Sequence, residues 1–227
     1  MKLFQKSMAE FIGTFALVFA GCGAAMIAQR FPGTIPPAVI PVIFGLMVAA
    51  MVYATGHISG AHLNPAVTAA FAAARHFQKK DVLAYWLAQT SGAFFAILIL
   101  TFILPGGQEF GATLPSVSPL QAFVWEAVLT FFLMFVIISV ATDTRAVGTM
   151  AGVAIGAAVT VCAFIGGPVT GASMNPARSL APAFFQHQTH GLWIYLTAPF
   201  AGAVIAALTY EAIRCELPKN SNAKGCC

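Results

Sequence analysis

Apolar runs broken by few polar positions recur along the chain near Met8–Ala28, Ala38–Thr55, Val82–Ile103, Gln121–Ala141, Val147–Ile165 and Trp193–Ile213. Each is about 20 residues, the length a helix needs to cross a hydrocarbon core of about 30 Å. The pattern predicts six transmembrane helices. Two further apolar pieces, Pro65–Ala74 and Pro176–Phe185, hold only ten residues each, about 15 Å as helix, and cannot cross alone. The expected fold class is an all-α membrane protein, with residues 1–227 forming a single membrane domain.

Composition agrees. Only 8% of the 227 residues are charged and 59% are hydrophobic, a balance that would leave a water-soluble domain of this size with apolar surface exposed. Lipid is the solvent for most of this chain. The net charge of +4 does not indicate a nucleic-acid partner, because the basic residues are scattered singly and not gathered into a patch with aromatics. Six spans put both termini on one side, and nine of the eleven Lys and Arg then share that side: Lys2, Lys6, Arg75, Lys79, Lys80, Arg145, Arg214, Lys219 and Lys224. Arg30 falls outside and Arg178 belongs to a short piece. The skew places both termini in the cytoplasm, and the expected location is the cell (inner or plasma) membrane. Five or seven spans would destroy it.

The N-terminal MKLFQK leads into an apolar stretch with Glu10 inside it and no small-residue cleavage pattern, so a retained first span is expected. Cys22, Cys162, Cys215, Cys226 and Cys227 have neither metal-ligand spacing nor a disulfide framework. No metal or cofactor is expected. Residues 214–227 read as a cytoplasmic tail. Cys226 and Cys227 could accept a lipid or bind a soft metalloid there, and the plainer reading is incidental thiols on a polar, unpatterned segment.

The two halves repeat each other. Glu10-Phe11-Ile12-Gly13-Thr14-Phe15 aligns with Glu126-Ala127-Val128-Leu129-Thr130-Phe131, and the stretch from Ser59 to Ala66 aligns with Thr170 to Ala177. Repeat 1 covers residues 8–103 and repeat 2 covers 121–213, with three spans in each. An odd number of spans sends the second copy into the membrane from the opposite face, giving an inverted repeat. The two short pieces occupy matching positions, so they dip in from opposite sides and meet near the middle, where the binding site of such a protein is expected.

Both short pieces begin Asn-Pro-Ala: Asn64-Pro65-Ala66 and Asn175-Pro176-Ala177. Asn is a favoured helix N-cap, and proline suits the first helical position because its missing N–H would be unpaired there anyway. Alone, one such triplet is a helix cap in a turn. Two of them at matched places in an inverted repeat predict two re-entrant half-helices abutting at their N-termini. Each terminus carries about half a positive charge, so their junction repels cations and hydrated protons. The two amides can also donate to one passing oxygen, which turns that water's own hydrogens away and interrupts a proton-relaying chain. Arg178 follows the second triplet, and a charge in an apolar membrane segment is functional by default, with snorkelling to the interface as the bland reading.

With this paired motif, and the strings GHISGAHLNPAVT and TGASMNPARSLAPA, the sequence resembles the aquaporin (major intrinsic protein) family over essentially its whole length, most nearly its nodulin-like branch and bacterial relatives. The resemblance implies a passive channel for water and small uncharged solutes, a homotetramer with one pore per subunit, and no catalytic residues. It implies that Arg178 belongs to the outer constriction, and the family's spacing from each motif places Phe44, Ala163 and Ala172 beside it. Water-selective members carry His at the position of Ala163. A methyl group here implies a wider filter with one apolar wall, suited to glycerol, urea, or metalloid acids such as arsenite and boric acid. Against that, glycerol facilitators have Asp after the Arg, and this chain has Ser179, as water channels do. A strictly water-selective pore is the alternative.

Glu10 and Glu126 lie at matched places in the first and fourth spans, where a buried carboxylate requires partners. In the family these residues hold the re-entrant loops; a proton relay is the competing reading. His62, two residues before Asn64, could support its loop, line the pore or sense pH. His57 and His76 are expected near the cytoplasmic side, and His187 and His190 in the outer loop. The small-residue stretches starting at Gly92, Gly152 and Gly202 suit close helix contacts. A secondary active transporter would share the inverted repeat, but it should carry ionisable residues at the midplane, where this chain has neutral Asn. An ion channel would need a ring of like charge, and an intramembrane enzyme a nucleophile–base pair; neither pattern occurs in the spans.

Overall fold

The computed structural model describes residues 1–104, 110–143, 146 and 148–214; Arg145, Cys215, Lys219, Lys224, Cys226 and Cys227, with nearly all of the expected tail, lie outside the described residues. The helices are α1 (Leu3–Arg30), α2 (Ile40–Ser59), α3 (Pro65–Ala73), α4 (Val82–Ile103), α5 (Pro119–Thr142), α6 (Ala151–Thr170), α7 (Pro176–Phe185) and α8 (Leu192–Ile213). Six of them are long and apolar enough to cross a membrane. The other two, α3 and α7, have nine and ten residues.

Helix ends extend past the apolar runs for local reasons. α1 begins at Leu3 and not at Met8, because the Lys2 backbone N–H reaches the Gln5 side chain at 2.9 Å and closes a polar first turn. α6 starts at Ala151, after a short 3-10 turn, and runs on past Ile165 to Thr170 with Pro168 inside its last turn. A proline there forfeits one backbone bond at a helix end that is about to stop. Gly60 and Gly171, with φ of 91° and 80°, then terminate α2 and α6 in the left-handed region that glycine enters freely.

In the packing, α1 lies against α2 and α4, α5 against α6 and α8, and α2 meets α6 between the two halves. The half-helices are exchanged: α3 packs on α8 and α7 on α4, in addition to the last span of their own half. Lipid supplies little drive for helices to associate, so close backbone approach has to. At the α2–α6 crossing a Cβ on Gly45 would come 2.4 Å from the Gly156 carbonyl oxygen, and one on Gly156 would come 2.5 Å from that of Gly45. The α1–α4 and α5–α8 contacts are matched in the same way at Gly92 against Phe11 and Gly202 against Ala127.

Candidate functional site

The site forms where α3 and α7 begin. Asn64 and Asn175 are extended, with φ of −159° and −148°, and each turns its side-chain oxygen back onto its own helix. Asn64 Oδ1 accepts from Ala66 N at 2.9 Å, and Asn175 Oδ1 from Ala177 N at 3.1 Å and Arg178 N at 3.4 Å. Pro65 and Pro176 hold the first helical position. The amide nitrogens cross over: Asn64 Nδ2 donates to the Met174 carbonyl at 2.7 Å, and Asn175 Nδ2 to the Leu63 carbonyl at 2.8 Å. The N-termini of the two half-helices are thus pinned to each other.

The loops leading into them carry matched left-handed residues, Ala61 (φ 48°) and Leu63 (φ 52°) in one, Ala172 (φ 44°) and Met174 (φ 52°) in the other. Non-glycine residues with positive φ cost energy and persist only where the surroundings over-determine them. Two buried carboxylates provide that constraint. Glu10 accepts from His62 N at 2.9 Å, Leu63 N at 2.7 Å, Ser59 Oγ at 2.7 Å and Gln89 Nε2 at 2.8 Å. Glu126 accepts from Ser173 N at 2.9 Å, Met174 N at 2.8 Å and Thr170 Oγ1 at 2.6 Å. Four donors on Glu10 and three on Glu126 tie the carboxylates to the loops that lead into α3 and α7. Two tyrosines complete the frame, Tyr85 OH donating to the Ser59 carbonyl at 2.7 Å and Tyr195 OH to that of Thr170 at 2.6 Å.

His62 both packs and lines the lumen. Its ring stacks on Phe71 at 4.8 Å and meets Phe77 edge-on at 4.9 Å, and Nδ1 lies 3.1 Å from Thr68 Oγ1. His57 is exposed at the wall of the same cavity. His76 pairs with Glu211 at 2.7 Å, while His187 and His190 are exposed.

Arg178 is 7% exposed. Its guanidinium donates to the Gly111 carbonyl at 2.7 Å and stands 5.1 Å from the centre of the Phe44 ring. Two cavities meet here. An inner one of about 420 Å³ runs from Tyr53 and His57 past Asn64 and Asn175. An outer one of about 490 Å³ lies among Pro37, Pro41, Phe164 and Pro168. Phe44, Ala163, Ala172 and Arg178 border both, and among the described residues no others do.

Four residues have roles that the sequence alone did not assign. Gly111, at φ 70°, holds Arg178 through a backbone carbonyl, which leaves no side-chain signature. Thr113 bonds Ser179 at 2.7 Å, and Ser179 in turn bonds Ser173. Tyr85 and Tyr195 could have been found, because they fall at corresponding places in α4 and α8.

The family model described as Major intrinsic protein matches residues 1–210. Nodulin-26 of Glycine max is 49% identical over 211 residues, covering 92% of this chain and 78% of that protein. Aquaporin NIP1-1 of Oryza sativa subsp. japonica is 50% identical over 211 residues, covering 92% and 74%. Among solved structures, the aquaglyceroporin from Plasmodium falciparum superposes with a TM-score of 0.81 at 26% identity, over 93% of this chain and 97% of that one. Since the family match reaches into all six spans and both half-helices, the chain belongs to the major intrinsic proteins and is a multi-pass membrane channel for water and small solutes, not an enzyme.

Proposed function

We propose that this channel passes small uncharged polyols, urea and metalloid acids such as arsenite alongside water, and that it holds back protons and other cations. The observation that carries the reading is that, among the described residues, Phe44, Ala163, Ala172 and Arg178 alone border both cavities. They form the constriction: an aromatic ring and two methyl groups make an apolar wall for a solute's carbon edge, and Arg178 donates to its hydroxyls. The presence of Ser179 does not count against polyols, because this fully buried residue spends its hydroxyl on Thr113 and Ser173 and lies behind the wall. The structural neighbour from Plasmodium falciparum is an aquaglyceroporin, which supports a solute range wider than water.

Asn64, Pro65, Ala66, Asn175, Pro176 and Ala177 form the second barrier, where two positive helix ends face each other and repel cations. Glu10, Glu126 and His62 support the loops. Residues 1–227 form one channel domain with repeats 8–103 and 121–213 in inverted orientation, a reading supported by the matched carboxylate, tyrosine and asparagine bonds. The protein sits in the inner or plasma membrane with both termini cytoplasmic, as a homotetramer with one pore per subunit. Stopped-flow light scattering on proteoliposomes with water, glycerol, urea and arsenite side by side tests the solute range. Water flux without any of the three solutes would establish the strictly water-selective alternative.

A further inference from the structure

Phe44 stands on α2, and the far end of its ring reaches α1 at Gly21. A Cβ built on Gly21 would lie 2.1 Å from both Cε1 and Cζ of the ring and 2.4 Å from Cε2. The ring therefore occupies the space that any side chain at this position would take. Its other neighbour at the filter is the Arg178 guanidinium, 5.1 Å from the ring centre.

The inverted repeat supplies an internal control. Eleven residues past Glu10 stands Gly21, and eleven past Glu126 stands Ile137; fifteen residues before Ser59 stands Phe44, and fifteen before Thr170 stands Ile155. Both isoleucines are buried and line the inner cavity. The α1–α2 and α5–α6 contacts occupy corresponding places in the two repeats, yet the second accommodates a full side chain where the first has none. Helix packing in this fold thus does not require glycine there. The aromatic ring does.

Nor can the helices part to make room. Gly45, beside Phe44, abuts the Gly156 carbonyl and holds α2 against α6, and a Cβ on Gly92 would come 2.4 Å from the Phe11 carbonyl oxygen, so α1 is held as closely against α4. With both backbones held, the ring is what must yield, and the free volume beside it is the pair of cavities it borders. We infer that Gly21 is a positioning residue of the filter: by carrying no side chain it lets the Phe44 ring lie back against α1 and sets the largest solute that passes. This rests on Phe44, Ala163, Ala172 and Arg178 forming the constriction.

The test is the glycerol-to-water flux ratio of full-length protein in proteoliposomes, for wild type, Gly21→Ala, Phe44→Ile and the double variant, with Gly23→Ala as a control on the same helix. Gly21→Ala is expected to lower the ratio about tenfold, the effect of one methylene in a selective pocket. Gly23→Ala should leave it in place. In the Phe44→Ile background, which copies the packing of the second repeat, Gly21→Ala should change the ratio by less than about twofold. An equal fall in both backgrounds, or no fall in either, overturns the inference. If Phe44→Ile alone does not move the ratio, the constriction itself is misplaced and the inference falls with it. Should Gly21→Ala fail to reach the membrane, rescue of accumulation by Phe44→Ile supports the ring as the obstacle, and failure of both overturns it.

Discussion

Asn64 donates an amide hydrogen to the Met174 carbonyl at 2.7 Å, reaching from the first half of the chain into the loop of the second, and Asn175 returns the bond to Leu63 at 2.8 Å. A primary amide has two N–H bonds. Each asparagine spends one on pinning the half-helix tips and has one left beside the inner cavity it lines. The oxygens are occupied by the helix N-termini, so the amides present donors and not acceptors to a passing molecule. In the proposed function, this arrangement orients a water without relaying its proton.

Asn64→Asp removes the donor, sets a carboxylate against the Met174 carbonyl and puts negative charge at the positive junction. Stability should fall by about 1–3 kcal/mol, the cost of leaving a buried polar group unsatisfied. Proton leakage through proteoliposomes, followed with an entrapped pH-sensitive dye, should rise relative to water flux. Leakage as low as in the parent would place the proton barrier somewhere other than the helix junction.

The spans and half-helices were legible from sequence because a membrane leaves few ways to satisfy a backbone, so apolar length and the Asn-Pro pair nearly determine the elements. The carboxylates were legible for a related reason: Glu10 and Glu126 are too costly to bury unless something pays them back in hydrogen bonds. Gly111 was not legible. Its contribution is a carbonyl delivered from an irregular segment 67 positions away from Arg178, and neither periodicity nor residue type marks such a contact. Helix ends extend past the apolar runs where residues that interrupt the pattern still fit a helix, as Gly166, Gly167 and Pro168 do before Thr170, since hydropathy records solvent and not hydrogen bonding.

Glu126→Gln keeps the size and shape of the side chain but replaces one acceptor oxygen with a donor. Glu126 receives Ser173 N, Met174 N and Thr170 Oγ1. Thr170 can turn its hydroxyl to accept, but a backbone N–H cannot turn, so at least one of the two loop amides loses its partner. The expected cost is about 1–3 kcal/mol, read as a lower melting temperature of the detergent-solubilised protein. Because the left-handed residues Ala172 and Met174 depend on those bonds, water flux per molecule should fall as well. Wild-type stability in this variant would show that the loop is held by packing alone.

The close helix approaches make a sharper contrast among glycines. A Cβ on Gly202 would meet the Ala127 carbonyl oxygen at 2.0 Å, a backbone atom that cannot rotate aside, whereas one on Gly167 meets nothing within 4 Å. Gly202→Val should therefore separate α5 from α8 and cost about 3 kcal/mol or more, the upper range for overpacking. Gly167→Ala should stay within about 0.5 kcal/mol of the parent. Fluorescence-detected size-exclusion after a heat ramp would rank them, and equal midpoints would contradict the packing described for α5 and α8.

The proposed filter is tested most directly at Ala163, which is 8% exposed on α6 and borders both cavities. Ala163→His puts an imidazole into the cavities that Phe44 and Arg178 also border and adds a donor to a wall that is otherwise apolar. A solute with a carbon backbone loses both room and its apolar surface, while water loses little and gains a partner. Glycerol and arsenite uptake should drop by about tenfold or more, the scale on which pockets discriminate by a methylene or two. Osmotic water flux should change by less than about threefold, since water is smaller than the aperture that remains. Both fluxes can be read from the same vesicles, by shrinkage in sucrose and re-swelling in glycerol. Polyol uptake equal to that of the parent would mean that the narrowest point of the pore does not involve α6 at this level, and Phe44, Ala172 and Arg178 would then have to be reassigned together with it.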